Sequence, residues 1–308
     1  MSQVRADLPN KRGNVTRAAT EQDQGVHALA VVEPGARIGR GVRIGPFSYV
    51  GADVSIGDGT VIHNHVSLTG RTSLGRNCIV YPGCVLGCPP QDMKYRGEPT
   101  TLEIGDDNVL REQVTAHPGT AGGGGVTRLG NGNLLMAGVH VGHDVIMGNH
   151  CILANLCLLA GHVVIEDYVT IGGHAGVHHF ATLGKYSMVG GMTKIAADVP
   201  PFLTVAGTRS SRQEVRMVNG VGLARRGFSE EQIRALKSAF MRVFSRRARG
   251  RGVPISQAVH ELRAESLDEN VLYLCDFLLR SFECGRQGRY LESLRPTLPY
   301  ARAATRAT

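Results

Sequence analysis

A period of six residues runs through most of this chain, and few folds can satisfy it. Starting at Ile38, every sixth residue is aliphatic: Ile44, Val50, Ile56, Ile62, Leu68, Leu74, Val80 and Leu86. Two residues before each of these stands a small or β-branched residue: Ala36, Val42, Ser48, Val54, Thr60, Val66, Thr72, Cys78 and Cys84. Glycine follows many of the stops, at 39, 45, 51, 57, 75 and 87. Six fits neither the 3.6-residue turn of an α-helix nor the alternation of a simple strand. It fits short strands joined by corners, with one aliphatic side chain filling the interior of each face. Three faces close a coil of 18 residues, and coils stack at the ~4.8 Å spacing of paired strands. One coil cannot bury its own face, so stacking is obligatory. The expected fold is mainly β: a left-handed parallel β-helix of hexapeptide repeats with a C-terminal α-helical cap domain.

The register survives two interruptions. Ile104 lies 18 residues after Leu86 and continues the count to Leu110. A second break, Pro118 to Thr127, shifts the frame. The count resumes at Leu129 and runs through Leu135, Val141, Met147, Leu153, Leu159, Ile165, Ile171, Val177, Leu183, Val189 and Ile195 without a miss. The interruptions, 87–101 and 118–127, read as excursion loops pushed out of the coil. Gly122 to Gly125 in the second lack the strand-to-helix setting of a dinucleotide fingerprint and read as flexible. Prolines at 200 and 201 end the repeat. Beyond them, Ser229 to Gln232 reads as a capping box. Ile233, Leu236, Phe240, Val243 and Phe244 then mark one helix face, and residues 255–264 and 269–282 read as two further helices. The expected division is an extension over 1–25, the β-helix over 26–200, a helical domain over 201–286 and a tail over 287–308. Both ends read as weakly ordered.

Charge is unevenly spread. Residues 209–308 hold 19 Lys+Arg against 10 Asp+Glu, while the first 208 hold 15 against 16. A basic block on a neutral body suits an acidic partner or a phosphate ligand. The arginine run at 246, 247, 249 and 251 reads as a solvated loop, and no nucleic-acid partner is expected. Of seven cysteines, Cys78, Cys84, Cys151 and Cys157 fall on inward positions of the repeat and read as small core residues. No CxxC pair points to a metal ribbon. Apolar runs fall short of the ~20 residues of a membrane span, and the first residues lack a signal-peptide core. A cytoplasmic protein without membrane insertion is expected.

His140, His143, His162, His178 and His179 fall within forty residues. His143 to His162 is 19 residues and His162 to His178 is 16, each near one coil, so these side chains should meet on one edge. Asp144 follows His143 as an orienting carboxylate. Zinc held by three imidazoles is one reading. A general base with helpers is another, since a neutral imidazole suits proton abstraction near pH 7. Spacing alone does not separate them.

Several stretches carry a resemblance. HALAVVEPGARIGRGVRIGPF from His27, LGCPPQDMKYRGEPT, VTAHPGTAGGGGVTRLG, HVGHD, ILAN, AGHV, GVHHF, VGG, DVPPF and LARRGFS occur in one order. Together they resemble the UDP-N-acetylglucosamine O-acyltransferases that open lipid A biosynthesis, a family of hexapeptide-repeat acyltransferases. The likeness covers about residues 27 to 285. It implies attack of a sugar 3-hydroxyl on the thioester of a 3-hydroxyacyl group carried by acyl carrier protein, with no cofactor and no metal. By this resemblance His143 matches the general base and Asp144 its orienting partner. The Gly161 N–H matches the oxyanion donor. Gln91, Asp92, Lys94, His140, His162 and His178 match contacts to sugar nucleotide or acyl chain. Asn219, Arg225 and Arg226 match contacts to the nucleotide and its diphosphate. Gly191 falls where the family measures acyl length, and glycine there implies a long donor, near fourteen carbons. The resemblance also implies a homotrimer with sites between neighbouring solenoids.

This sequence departs from the family pattern at three places. His179 stands where Gln is often found, Pro118 stands where Arg is common, and TRSSRQEVRMV after Gly207 is longer than the pattern. Rival readings are an acyltransferase acting on a 3-amino sugar nucleotide and a solenoid zinc hydratase.

Overall fold

The structure, a computed structural model, describes residues 25–207, 213–244 and 254–294. The arginine run at 246–251, the extension before Gly25 and the tail after 294 lie outside the described residues.

Three parallel sheets of nine, eight and ten strands form the faces of a prism. Nearly every strand in them is two residues long, as in Tyr49–Val50 and Ile152–Leu153. In most pairs the first residue is the more exposed and the second faces the core. Pairing follows the coil: Val31 lies beside Tyr49 and Tyr49 beside Ser67, 18 positions apart each time. All twelve stops from Leu129 to Ile195 are buried in one continuous core, with Cys84, Cys151 and Cys157 among them. Cys78 is likewise buried, and the thiols of Cys78 and Cys84 point to carbonyls at Gly105 and Arg111. This is the left-handed β-helix with a helical cap that the period predicts.

Corners decide where side chains outside the core point. Most use a residue with positive φ, and many of these are not glycine: His65, Asp144, His150, His162, Tyr168, Phe180 and Tyr186 all lie between +56° and +63°. Polar and aromatic side chains tolerate this region at a cost that glycine avoids. In return, residues one coil apart sit directly above one another. Asp144, His162 and Phe180 make one such column, with the His162 and Phe180 rings stacked at 4.5 Å. His150, Tyr168 and Tyr186 make another, at 5.0 and 4.8 Å.

The two excursions preserve register because the coil closes beneath them. Thr101 pairs with Arg71, 30 positions back, and Val126 pairs with Thr101, 25 positions back. The second excursion, read from sequence as flexible, is tied down. Ala121–Gly123 is a short 3₁₀ turn capped by Thr120, whose hydroxyl accepts from the Gly123 N–H at 3.2 Å. Four glycines carry no side-chain signal of this anchoring, which comes from a residue before them.

Strand pairing also continues past the prolines that were expected to stop it. Leu203–Gly207 adds in parallel to Met188–Val189 and then pairs antiparallel with Gln213–Val218. Phe202 at φ +65° turns the chain back onto the sheet, so the prolines mark a corner and not an end. This hairpin lies where the sequence matches its family pattern poorly, and residues 208–212 of it lie outside the described residues.

Helices Gly220–Arg225, Glu230–Phe244, Ile255–Glu265 and Glu269–Leu279 follow. The capping box forms as read: Ser229 and Gln232 exchange hydrogen bonds at 2.9 and 3.2 Å. Ile233, Leu236, Val243 and Phe244 are buried, with Phe240 packed beside them. A second core joins these helices to Phe202 and Leu203 at the end of the prism. The stretch expected to begin a weakly ordered tail at 287 is instead packed through residue 294. Asp198 explains this, since its carboxylate accepts from the Tyr290 N–H at 2.9 Å, from the Thr182 N–H at 2.8 Å and from the Ser281 hydroxyl. Arg289, nearly fully buried, donates to the Ala196 carbonyl.

Because coils have no core of their own, a cavity in one weakens its neighbours. Leu153→Ala, at a fully buried stop, should cost about 2–5 kcal/mol. The check is a denaturant midpoint that falls with unchanged slope at fixed protein concentration.

Candidate active site

One corner of the prism gathers the histidines. His140 lies on strand His140–Val141 with its side chain outward, and its Nδ1 sits 2.8 Å from the Thr115 hydroxyl. Two residues on, the chain turns through His143 and Asp144. The His143 ring lies edge-on to His162, centroids 5.0 Å apart. It also lies flat over Gly161, one coil on: a Cβ there would come within 2.4 Å of the ring. That explains glycine at 161. The Gly161 N–H carries no hydrogen bond among the described residues, which leaves it available as a donor.

Asp144 is buried and densely bonded. The His143 Nδ1 donates to its Oδ2 at 2.7 Å. The Thr120 hydroxyl donates to the same oxygen at 2.7 Å, and the Thr120 N–H to Oδ1 at 2.8 Å. Its own N–H donates to the Thr127 hydroxyl at 2.8 Å. Gly123 closes over the carboxylate so tightly that a Cβ would lie 2.1 Å from the carboxyl carbon. The glycine-rich excursion is therefore a clamp on Asp144. Thr120 and Thr127 escape sequence reading because a lone threonine is unremarked until its partner is known.

A cleft of about 430 Å³ opens beside this pair. Its lining includes Gln91, His117, His140, His143, Gly161, His178, His179 and Lys194. Gln91, His140, His143, Gly161 and His178 were named from sequence. His117 and Lys194 were not, although Lys194 occupies the same outward strand position as His140 and Leu158. Burial holds the His162 imidazole below its ordinary value of 6.5, against an opposing pull from Asp144. Burial, with help from His117 and His143, does the same to His140.

Other sequence candidates lie apart. Asp92, near enough to His162 to favour its charged form, caps its own loop by accepting from the Lys94 N–H at 2.9 Å. Neither Asp92 nor Lys94 lines the cleft. Gly191 is outside the lining too. It stacks on Gly173, where a Cβ would meet the carbonyl oxygen at 3.3 Å. Asn219 donates to the Tyr186 carbonyl at 2.9 Å, and the Arg226 guanidinium lies 4.9 Å over the Tyr168 ring, on a different corner of the prism. Arg225 is exposed on the same short helix.

The three imidazoles of the zinc reading do not assemble as a set. Among the described residues, His143, Asp144 and His162 have ligand atoms within 4.8 Å of one another. His178 instead packs against His179, rings 5.5 Å apart. Both Asp144 oxygens already accept hydrogen bonds from Thr120 or His143.

The geometry agrees with what the chain resembles among known proteins. Residues 198–286 match the second domain of UDP-N-acetylglucosamine O-acyltransferases, and residues 35–70, 53–88 and 127–161 match the bacterial transferase hexapeptide repeat. The acyl-[acyl-carrier-protein]–UDP-N-acetylglucosamine O-acyltransferase of Sulfurovum sp. is 45% identical over 256 residues, 83% of this chain and 95% of that protein. The chain belongs to this acyltransferase family. The corresponding enzyme of Saccharophagus degradans is also 45% identical, over 77% of this chain and 89% of its own length. Among solved structures, LpxA from Acinetobacter baumannii superposes with a TM-score of 0.76 at 37% identity, covering 82% of this chain and 95% of its own. The Arabidopsis UDP-N-acetylglucosamine acyltransferase superposes at 0.75 and 30% identity, covering 86% and 99%. As a member of this family, the chain carries its histidine corner on the repeats and its arginines on the second domain.

Thr120→Val keeps shape but removes the hydroxyl bond to Asp144, and should lower kcat/KM by about 10–100-fold with circular dichroism unchanged. His162 and His140 have lowered folded-state values, so below pH 6.5 the unfolded chain binds more protons and stability falls as pH falls. Burial raises Asp198, which acts with the opposite sign. Comparing the parent with His162→Gln cancels that contribution. The denaturant midpoint of the variant should depend less on pH between 7.5 and 5.5.

Proposed function

We propose that this chain moves a 3-hydroxyacyl group from acyl carrier protein to the 3-hydroxyl of UDP-N-acetylglucosamine, with His143 as general base. The observation that carries the reading is the His143 ring, held by Asp144 at Nδ1 and laid over the Gly161 backbone in the cleft. The Nδ1 proton is committed to the carboxylate, so Nε2 presents the lone pair. It takes the sugar hydroxyl proton as that oxygen attacks the thioester carbonyl. Asp144 stabilises the imidazolium that forms. The Gly161 N–H donates to the oxygen of the tetrahedral intermediate. Collapse expels the carrier thiolate, which recovers the proton from His143.

His140, His178 and Gln91 bind substrate from the cleft lining, with His162 beside the dyad. Lys94 and Asp92 contact it from the first excursion, and Gly191 leaves room for a long acyl chain. Asn219, Arg225 and Arg226 lie off this cleft, and a homotrimer supplies them from a neighbouring subunit to the nucleotide diphosphate. The basic C-terminal block receives the acidic carrier protein. Cytoplasmic location fits these soluble reactants, and no helix among the described residues is long and apolar enough to cross a membrane.

The test is a transfer assay with UDP-N-acetylglucosamine and 3-hydroxymyristoyl carrier protein, read by mass. The parent should form the acylated sugar nucleotide with or without chelator, and His143→Ala should lose at least about 100-fold. Product only with a 3-amino sugar nucleotide would change the acceptor. No transfer to either acceptor would overturn the reading.

A further inference from the structure

His117 follows the strand Thr115–Ala116 and stands just before the second excursion. Its ring lines the cleft, 5.4 Å from His140 and edge-on to it, and the residue is only 7% exposed. The Nδ1 lies 3.0 Å from the Cys88 carbonyl oxygen. A carbonyl only accepts, so Nδ1 carries the proton and Nε2 presents a lone pair. That Nε2 is fully buried and has no hydrogen-bond partner. Native interiors rarely leave such an atom unmatched, and one in a ring that lines a cleft points to a ligand donor.

Its environment also separates His117 from His143. A carboxylate backs the His143 Nδ1 and stabilises a positive ring. Behind His117 stands a neutral carbonyl, with His140 alongside. With Nδ1 committed to the carbonyl, the Nε2 of His117 is left as a hydrogen-bond acceptor. Gln91, on the same lining, adds an amide. Acceptor and amide together match a hydroxyl, which donates to one and accepts from the other.

We propose that the His117 Nε2 is a fixed acceptor that reads a hydroxyl group of the substrate, a specificity element distinct from the base. This rests on the acyl-transfer reading above. That reading offers two sources of such a hydroxyl, the 3-hydroxyl of the acyl donor and the free hydroxyls of the sugar. A site that pairs a buried acceptor with a substrate hydroxyl discriminates strongly against the analogue lacking it, because the acceptor is then left unpaired.

The experiment measures selectivity ratios with purified full-length parent, His117→Phe and His117→Gln. Each is assayed with 3-hydroxymyristoyl and with myristoyl carrier protein, and with UDP-N-acetylglucosamine and its 4-deoxy and 6-deoxy sugar analogues. His117→Phe keeps the ring shape and loses the acceptor, while His117→Gln restores one at similar reach. The parent should prefer one hydroxylated substrate, and that preference should shrink by roughly 10–100-fold in His117→Phe and return in part in His117→Gln. A change confined to the acyl pair assigns the acyl hydroxyl, and one confined to a sugar pair assigns the sugar. Equal ratios in parent and both variants would overturn the proposal while leaving acyl transfer intact. Should His117→Phe fail to fold, unchanged ratios in His117→Ala, which also lacks the acceptor, would overturn it equally. No transfer by the parent itself would defeat the functional reading first.

Discussion

Parallel pairing of each coil with the one 18 residues before it is the constraint on which everything else rests. A two-residue strand buries one side chain and gains little alone, so each face is stable only as part of a stack. Stacking fixes more than the core. It puts the same corner position of successive coils in vertical register, which turns a linear spacing into a column. Asp144, His162 and Phe180 form such a column because all three occupy the positive-φ corner position. The sequence interval near 18 is therefore a distance statement, and it places the His143 and His162 rings 5.0 Å apart.

Excursions are tolerated because the pairing beneath them resumes in phase, with Thr101 beside Arg71 and Val126 beside Thr101. Loop length costs little entropy by comparison with a lost coil. The second excursion then returns something to the scaffold. Thr120 donates twice to Asp144, and Gly123 seals the carboxylate from the outer side. A corner residue in a strained backbone region is thus fixed from two directions, by Thr127 beneath its N–H and by Thr120 over its oxygens.

The repeat made the coil legible because hydrophobic stops at a fixed interval report interior positions directly. The histidine edge was legible for the same reason. What lay between the repeats was not. Thr120 sits in an insertion without periodicity and His117 at its edge, so nothing in the residue order says that one meets Asp144 and the other the Cys88 carbonyl. The hairpin after Phe202 was hidden by Pro200 and Pro201, which end hexapeptide pairing on one face while allowing Leu203–Gly207 to join the next. The packed turn at 288–294 was hidden because its anchor, Asp198, lies some 90 residues earlier and its own short sequence lies outside the repeat and the helix patterns. Resemblance named Gly191, Asn219 and Arg226, yet their places on other corners follow only from the prism.

The partners of Asp144 bear on what the dyad can do. Thr120 and Thr127 are neutral, and so is every donor to the carboxylate apart from the imidazole itself. A lysine or arginine in place of Thr120 would hold the carboxylate as firmly and cancel the charge that an imidazolium at His143 needs. His162 is the one competitor, with its Nδ1 3.8 Å from the same Oδ2. Burial keeps that ring below its ordinary value, so it does not draw on the charge. Neutral donors fix the geometry and desolvation silences the rival, which leaves the negative charge of Asp144 directed to a single ring. The column that stacking imposes brings two imidazoles to one carboxylate, and the difference in their surroundings decides which of them can act as the base.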